Sequence, residues 1–406
     1  VTIPIAAEQS ERKTLIWMCL LIGVNQLGFG AVIPVLPLYA DSFGVSQAAI
    51  GATVAVYGLA RLLTGIPAGR IADWFGRRNA LALGGIVSAL GNIWCAYATS
   101  FSELTVARFV AGAGAGLTLT AGMIVLADIT TAARRGRVMA IYQGVFLFAV
   151  GIGPFPGGYM ADHFGLDVPF LAYGGASAIA AVVGWFGVAE TRHLARDARA
   201  VNEPTLSYLT QLKTILKPIG FKLVSSISFI NAVVRTGGLF AIIPIVGTQR
   251  LGLSATEIGF AMAFGSIAGV LLAYPGGILV DRFGRKAVIV PSTIATGLAF
   301  LTFGLASSFT WFLLATGIWG IASSISGAAP AAYAADISPK AYSATAMSAY
   351  RTLSDAGYVV GPIVLGAIAD GFGLSVPLYV ASILLISIGL SFARFAPESY
   401  AARDVR

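Results

Sequence analysis

The sequence predicts an all-α integral membrane protein, with twelve transmembrane helices in two pseudo-symmetric six-helix bundles. Three observations lead there. Charged residues are 11% of the 406 positions and hydrophobic ones 57%, whereas a soluble domain carries about 25% charged residues; the mean hydropathy is +0.83. Predominantly apolar stretches run over 79–98, 169–189 and 375–393, long enough for a helix to cross a hydrocarbon core about 30 Å thick. Much of the first half also returns 208 residues later.

The polar start "VTIPIAAEQSERK" has no cleavage pattern, so the apolar run behind it reads as a true span and not a signal peptide. The spans expected are 14–39, 48–72, 79–98, 101–127, 137–160, 169–189, 220–248, 254–279, 286–306, 308–335, 341–369 and 375–395. This divides the chain into an N-terminal bundle (1–189), a polar connector (190–218) and a C-terminal bundle (219–406). With the N-terminus inside, most of the 26 basic residues fall in inner segments, among them Arg70, Arg77, Arg78, Arg134, Arg135, Arg282, Arg285 and Lys286; the outer loops hold Arg250 alone. That bias places both termini in the cytoplasm; the membrane expected is the plasma (inner) membrane. It also accounts for the net charge of +8 without a nucleic-acid partner.

Cys19 and Cys95 sit in apolar runs and read as buried thiols. His163 and His193 fall in loops, and no Cys/His set has metal-ligand spacing. "GAGAGLTLTAG" (112–122) follows no strand, so small-residue helix packing suits it better than a phosphate-cradling loop. With no nucleophile–base set either, the chain is expected to be no enzyme and to need no cofactor or metal.

The repeat keeps one offset from about 43 to 170. "FGVSQAAIG" (43–51) meets "LGLSATEIG" (251–259), and Asp73, Gly76 and Arg77 meet Asp281, Gly284 and Arg285. "ADIT" (127–130) meets "ADIS" (335–338), Gly153-Pro154 meets Gly361-Pro362, and "ADHFGLDVP" (161–169) meets "ADGFGLSVP" (369–377). Six spans per copy give parallel halves related by an axis along the membrane normal.

The pattern G-x-x-x-D-x-x-G-R-[RK], in "GRIADWFGRR" (69–78) and again in "GILVDRFGRK" (277–286), resembles the signature of the major facilitator superfamily. So does Arg108 in "RFVAGAGAG". "GIGPFPGG" (151–158) resembles the glycine-proline motif of that family's drug:proton antiporter branch. The resemblance covers essentially the whole chain and implies a secondary transporter with a small-molecule substrate, probable proton coupling and a monomeric fold in the bilayer.

Asp73 can pair with Arg77 one turn on, or face the positive N-terminal end of a helix, as can Asp281 with Arg285. Gly69 and Gly76 are expected to let backbones approach closely. The resemblance makes Gly69, Asp73, Arg77, Asp281 and Arg285 gating elements; the plainer alternative is topology-setting charge, which suits Arg78 and Lys286. Gly153, Pro154, Gly361 and Pro362 kink and tighten their spans, and the resemblance implies that they seal the outer half.

Five ionisable residues lie inside spans: Arg61, Arg108, Arg235, Arg351 and Asp355. An uncompensated arginine at the bilayer centre costs about 3 kcal/mol or more, so these face protein or water. Arg351 and Asp355 are one turn apart and can pair. The others, with Asn25, Gln26, Tyr57, Asn231 and Tyr350, make an electropositive, hydrogen-bonding set suited to an anionic or amphipathic ligand; Arg61 and Arg108 could instead bridge helices. "NQLGFGAVIPVLP" (25–37) resembles the first span of tetracycline-type exporters, with Asn25 where those have an acid. Asp355 is then the best proton-coupling candidate with Arg351, and Asp128 and Asp336 come second, with contacts to loop arginines as their plainer role. The expected function is export of a small amphipathic or anionic compound by alternating access, with proton antiport. A proton-independent carrier of an anionic metabolite or lysolipid, and a receptor that binds without flux, stay open.

Overall fold

The structure, a computed structural model, describes residues 5–130, 132–192, 208–327, 329–339 and 342–399. Among them there is no strand, and twelve helices are long and apolar enough to span a membrane.

Span 1 is Ile5–Val32, continued by Val35–Asp41; span 2 is Gln47–Phe75, span 3 Arg77–Ala96, span 4 Phe101–Ile129. Span 5 is Ala132–Ile152 with Pro154–Phe164, and span 6 is Val168–Gly187. A short helix, Tyr208–Ile215, precedes span 7, which alternates α-helix (Ile219–Val233, Ile243–Ile245) with π-helix (Val234–Ile242, Val246–Arg250). Span 8 is Ala255–Phe283, span 9 Arg285–Leu305, and span 10 Phe309–Ser326 with Ala329–Asp336. Span 11 is Ser343–Phe372 and span 12 Val376–Phe395.

The breaks have local causes. Pro34 cannot donate to the helix ladder, so span 1 ends at Val32 with Ile33 N–H on Gly30 C=O at 3.2 Å. Pro154 starts a new segment in span 5, where a missing N–H does least harm. Span 10 stops at Gly327, whose φ of +42° suits glycine. At the far end of span 8, Ser254 and Glu257 form a capping box.

The chain forms two compact units. In the first, small residues let span 5 press on span 1: a Cβ on Gly157 would run into the Ala31 carbonyl. The second unit repeats this with span 11 on span 7, where a Cβ on Gly361 would meet the Val233 carbonyl at 2.5 Å. Ser46–Ala55, the start of span 2, belongs to the second unit. There Gln47 and Ala48 donate their N–H groups to the Asp370 carboxylate of span 11 at 2.7 and 2.9 Å, so an anion sits on the positive end of a helix. Arg250, expected alone in the outer loops, closes the end of span 9 by donating to the carbonyls of Phe303, Gly304 and Ala306 at 2.8–2.9 Å.

Candidate functional site

Span 7 loses α-helical register at Val234, one residue before Arg235. π-Turns widen a helix and recur at functional sites, and this one lies beside a cavity of about 260 Å³ inside the second unit. Arg235 and Asn231 line it from span 7 and Tyr350 from span 11, three of the eight residues expected to meet a ligand. Trp319 and Ser323 of span 10, Thr293 and Thr296 of span 9, and the Gly327 break complete the wall. Arg235 also stands 5.9 Å from the Phe240 ring centroid. Of the charged residue types, only arginine appears in this lining. Interrupted helices are the usual way a transporter opens backbone and side-chain polarity to a ligand in mid-membrane.

The other expected ligand residues are placed differently. Asn25, Gln26, Tyr57 and Arg108 are buried in the first unit. Asn25 Nδ2 donates to Ser177 Oγ at 3.3 Å, the Ser177 and Ser88 hydroxyls share a bond of 3.1 Å, and Gln26 Nε2 donates to Asn25 Oδ1 at 3.4 Å. The Arg108 guanidinium, in a residue 2% exposed, lies 4.2 Å from the Tyr57 ring centroid, and the Tyr57 and Tyr173 hydroxyls are 3.0 Å apart. Direct ligand contact by these four would first require uncovering them. Polar groups inside spans seek partners, and here spans 3 and 6 supply them. Arg108 Nε and Nη1 nevertheless have no hydrogen-bond partner among the described residues. Arg61 is half-buried on span 2.

Arg351 and Asp355 form the expected i,i+4 contact at 4.0 Å, a loose pair in which the arginine side chain is 80% exposed and the aspartate 29%. Asp355 directly follows Ser354, another residue of the cavity wall.

At the end of the first unit carrying 69–78, Arg77 bridges two carboxylates, Asp73 Oδ1 and Asp128 Oδ2, both at 2.9 Å. Asp128 thus sits with an arginine, and the Thr191 hydroxyl donates to the same oxygen at 2.9 Å. Glu190 accepts the N–H groups of Arg77 and Arg78 at 3.0 and 3.3 Å, capping span 3. Two expectations need correcting. Among the described residues no atom lies within 4 Å of where a Cβ on Gly69 would stand, so none of them makes the close backbone approach expected there. Gly76 is needed for its φ of +96° and for the Glu190 carboxylate packed against it, rather than for a backbone neighbour. In the second unit Arg285 Nε meets Asp336 at 3.2 Å; the Asp281 side chain lies outside the described residues, as do 193–207 of the connector.

The profile of the Major Facilitator Superfamily matches residues 18–254 and 224–405. The chain belongs to that superfamily. It is 27% identical to Multidrug resistance protein 2 of Bacillus subtilis over 94% of this chain and 95% of the relative. It is 23% identical to the quinolone resistance protein NorA of Staphylococcus aureus, over 90% and 91%. Its fold matches the crystal structure of a POT family transporter in complex with 5-aminolevulinic acid at a TM-score of 0.77, with 15% identity and coverage of 95% and 96%. The protein is thus a multi-pass membrane transporter of the superfamily, and its relatives are transporters rather than enzymes.

Reading the sequence alone missed Glu190, Trp319 and the hydroxyls of spans 9 and 10. Glu190 had a signal: Glu190-Thr191 recurs as Glu398-Ser399 at the same offset of 208. The cavity hydroxyls had none, because Ser and Thr are common in membrane helices and which face they take is a tertiary fact.

Proposed function

We propose that this transporter exports a small amphipathic or anionic organic compound by alternating access, in exchange for protons. The observation that carries the reading is the cavity of the second unit, where Arg235 is the charged residue of the lining and hydroxyls, an amide and an indole stand beside apolar residues such as Val234 and Pro330. Arg235 binds the ligand's anionic or acceptor group, Asn231 and Tyr350 orient its polar edge, and Trp319 offers a face for an apolar or aromatic portion. The full-length relatives named for multidrug and quinolone resistance support export. Asp355, beside the cavity wall and partly exposed, carries the exchangeable proton with Arg351 as its partner; Asp128, held by Arg77, has a scaffolding part. Gly69, Asp73, Arg77, Asp281 and Arg285 reorganise as access alternates, while Gly153, Pro154, Gly361 and Pro362 hold the packed half. The protein works as a monomer in the plasma membrane with both termini cytoplasmic.

The test is binding of anionic against cationic amphiphiles of equal chain length, with transport in inside-out vesicles. Anions should bind better, and Arg235→Ala should weaken them at least tenfold, the scale of one charge-assisted contact. A cation preference that survives Arg235→Ala refutes the ligand class. An uncoupler should abolish flux, and Asp355→Asn should abolish its pH dependence. Flux indifferent to the uncoupler favours the second reading, a proton-independent carrier of an anionic metabolite or lysolipid, which is supported by a cavity lining with no carboxylate among the described residues.

A further inference from the structure

A second cavity, about 600 Å³, lies between spans 8, 9 and 10 on a different face of span 10 from Trp319 and Ser323. Its wall is apolar: Leu279 and Phe283 of span 8, Pro291 of span 9, and Ile318, Ile321 and Ile325 of span 10. The one hydroxyl in it, Ser292 Oγ, donates to the Val288 carbonyl at 2.7 Å and is satisfied. Leu279 and Phe283 are exposed at its edge. On helices that span a membrane such a groove meets hydrocarbon, not water.

Arg282 directly precedes Phe283, a residue of that wall. Its guanidinium is 5.6 Å from the centroid of Phe283, and it forms no ion pair or hydrogen bond among the described residues. The neighbouring cations are engaged: Arg285 pairs with Asp336 at 3.2 Å, and Lys286 Nζ donates to the Ala396 carbonyl at 2.7 Å. A guanidinium at the boundary of the hydrocarbon, with no counter-ion among the described residues, matches a phosphate, which it can hold through two parallel bonds.

We propose that this groove binds an anionic phospholipid from the adjacent leaflet, an acyl chain lying between spans 8, 9 and 10 and the phosphate on Arg282. Neither part alone specifies the ligand. The apolar walls select a chain, and the cation beside Phe283 selects the sign of the headgroup.

The test is native mass spectrometry of the full chain in neutral detergent with equimolar phosphatidylglycerol and phosphatidylcholine of identical chains, scored on the first lipid bound. One basic residue at a membrane surface favours an anionic lipid by about fivefold, so phosphatidylglycerol should lead by about that factor. Arg282→Gln should bring the two lipids to parity. Ile321→Trp, or Ala295→Phe if the first fails to fold, should lower the binding of both. Glycerol phosphate, a headgroup without chains, should not compete. Parity in the wild type, a preference that survives Arg282→Gln, filled-groove variants that bind normally, or competition by glycerol phosphate would each overturn the assignment.

Discussion

The ends of spans 2–3 and spans 8–9 carry the same device in two grades. Arg77 and Arg285, Asp128 and Asp336, Glu190 and Glu398, and Thr191 and Ser399 all correspond at an offset of 208. Each arginine reaches the carboxylate from the following span, each glutamate accepts the first N–H groups of the helix after the glycine, and each hydroxyl donates to that same aspartate. The first copy is the tighter. Arg77 is 3% exposed and bonds Asp128 at 2.9 Å; Arg285 is 17% exposed and bonds Asp336 at 3.2 Å. Asp128 is 10% exposed and Asp336 35%, and the hydroxyl bonds are 2.9 and 3.4 Å. One connectivity, at two depths of burial, separates what the pattern specifies from what the surroundings contribute: sequence sets the partners, and dielectric sets what each is worth.

The largest expected effect is at the arginines. Arg77→Ala leaves a buried carboxylate without its counter-ion and should cost about 3–5 kcal/mol, while Arg285→Ala, at a half-exposed pair, should cost about 1 kcal/mol or less. Thermal unfolding of the solubilised protein measures both, and equal losses would end the distinction. Next come the glycines. Both sit at positive φ, +96° and +93°, so alanine costs about 1–2 kcal/mol at either. Gly76→Ala also presses a methyl into the Glu190 carboxylate, where Gly284→Ala meets the Glu398 carboxyl carbon at 3.1 Å. The first substitution should therefore destabilise more, and a reversed order would show that Glu190 moves aside freely. The smallest effect is at the caps. Glu190→Gln should lose about 1 kcal/mol, with Glu398→Gln less, because the bond from Arg77 N–H to Glu190 is part-buried at 3.0 Å and that from Lys286 N–H to Glu398 is exposed at 3.2 Å. Hydrogen exchange at the first turns of spans 3 and 9 resolves the two.

Most of the fold was legible because length and apolarity alone define a membrane helix, and because a duplicated chain states its plan twice. Asn231, Arg235 and Tyr350, polar or charged groups inside spans that need a partner or water, stand together on the cavity wall. That need does not say which of the two a residue has: Asn25, Gln26, Tyr57 and Arg108 are buried among partners in the first unit. Ser88 and Ser177 lie 89 residues apart, and only packing brings them to Asn25. The π-helical stretch had hints in Gly237, Gly238 and Pro244, but helix register over a span is settled by neighbours. The cap residues Glu190 and Glu398 stand just past spans 6 and 12, where a carboxylate costs nothing to expose and so gives no signal of a partner.

The polar cavity belongs to one unit, and its wall survives translation to the other copy only in part: Tyr350, Thr296 and Ser326 keep their character as Tyr142, Ser88 and Thr118. At the offset of 208, Trp319, Ser323, Ser354 and Thr293 become Ala111, Ala115, Phe146 and Gly85. Duplication left two scaffolds of one blueprint that have diverged at these positions. On the proposed reading, a change of ligand class is made by editing spans 7, 9, 10 and 11, at positions whose counterparts in the first copy differ.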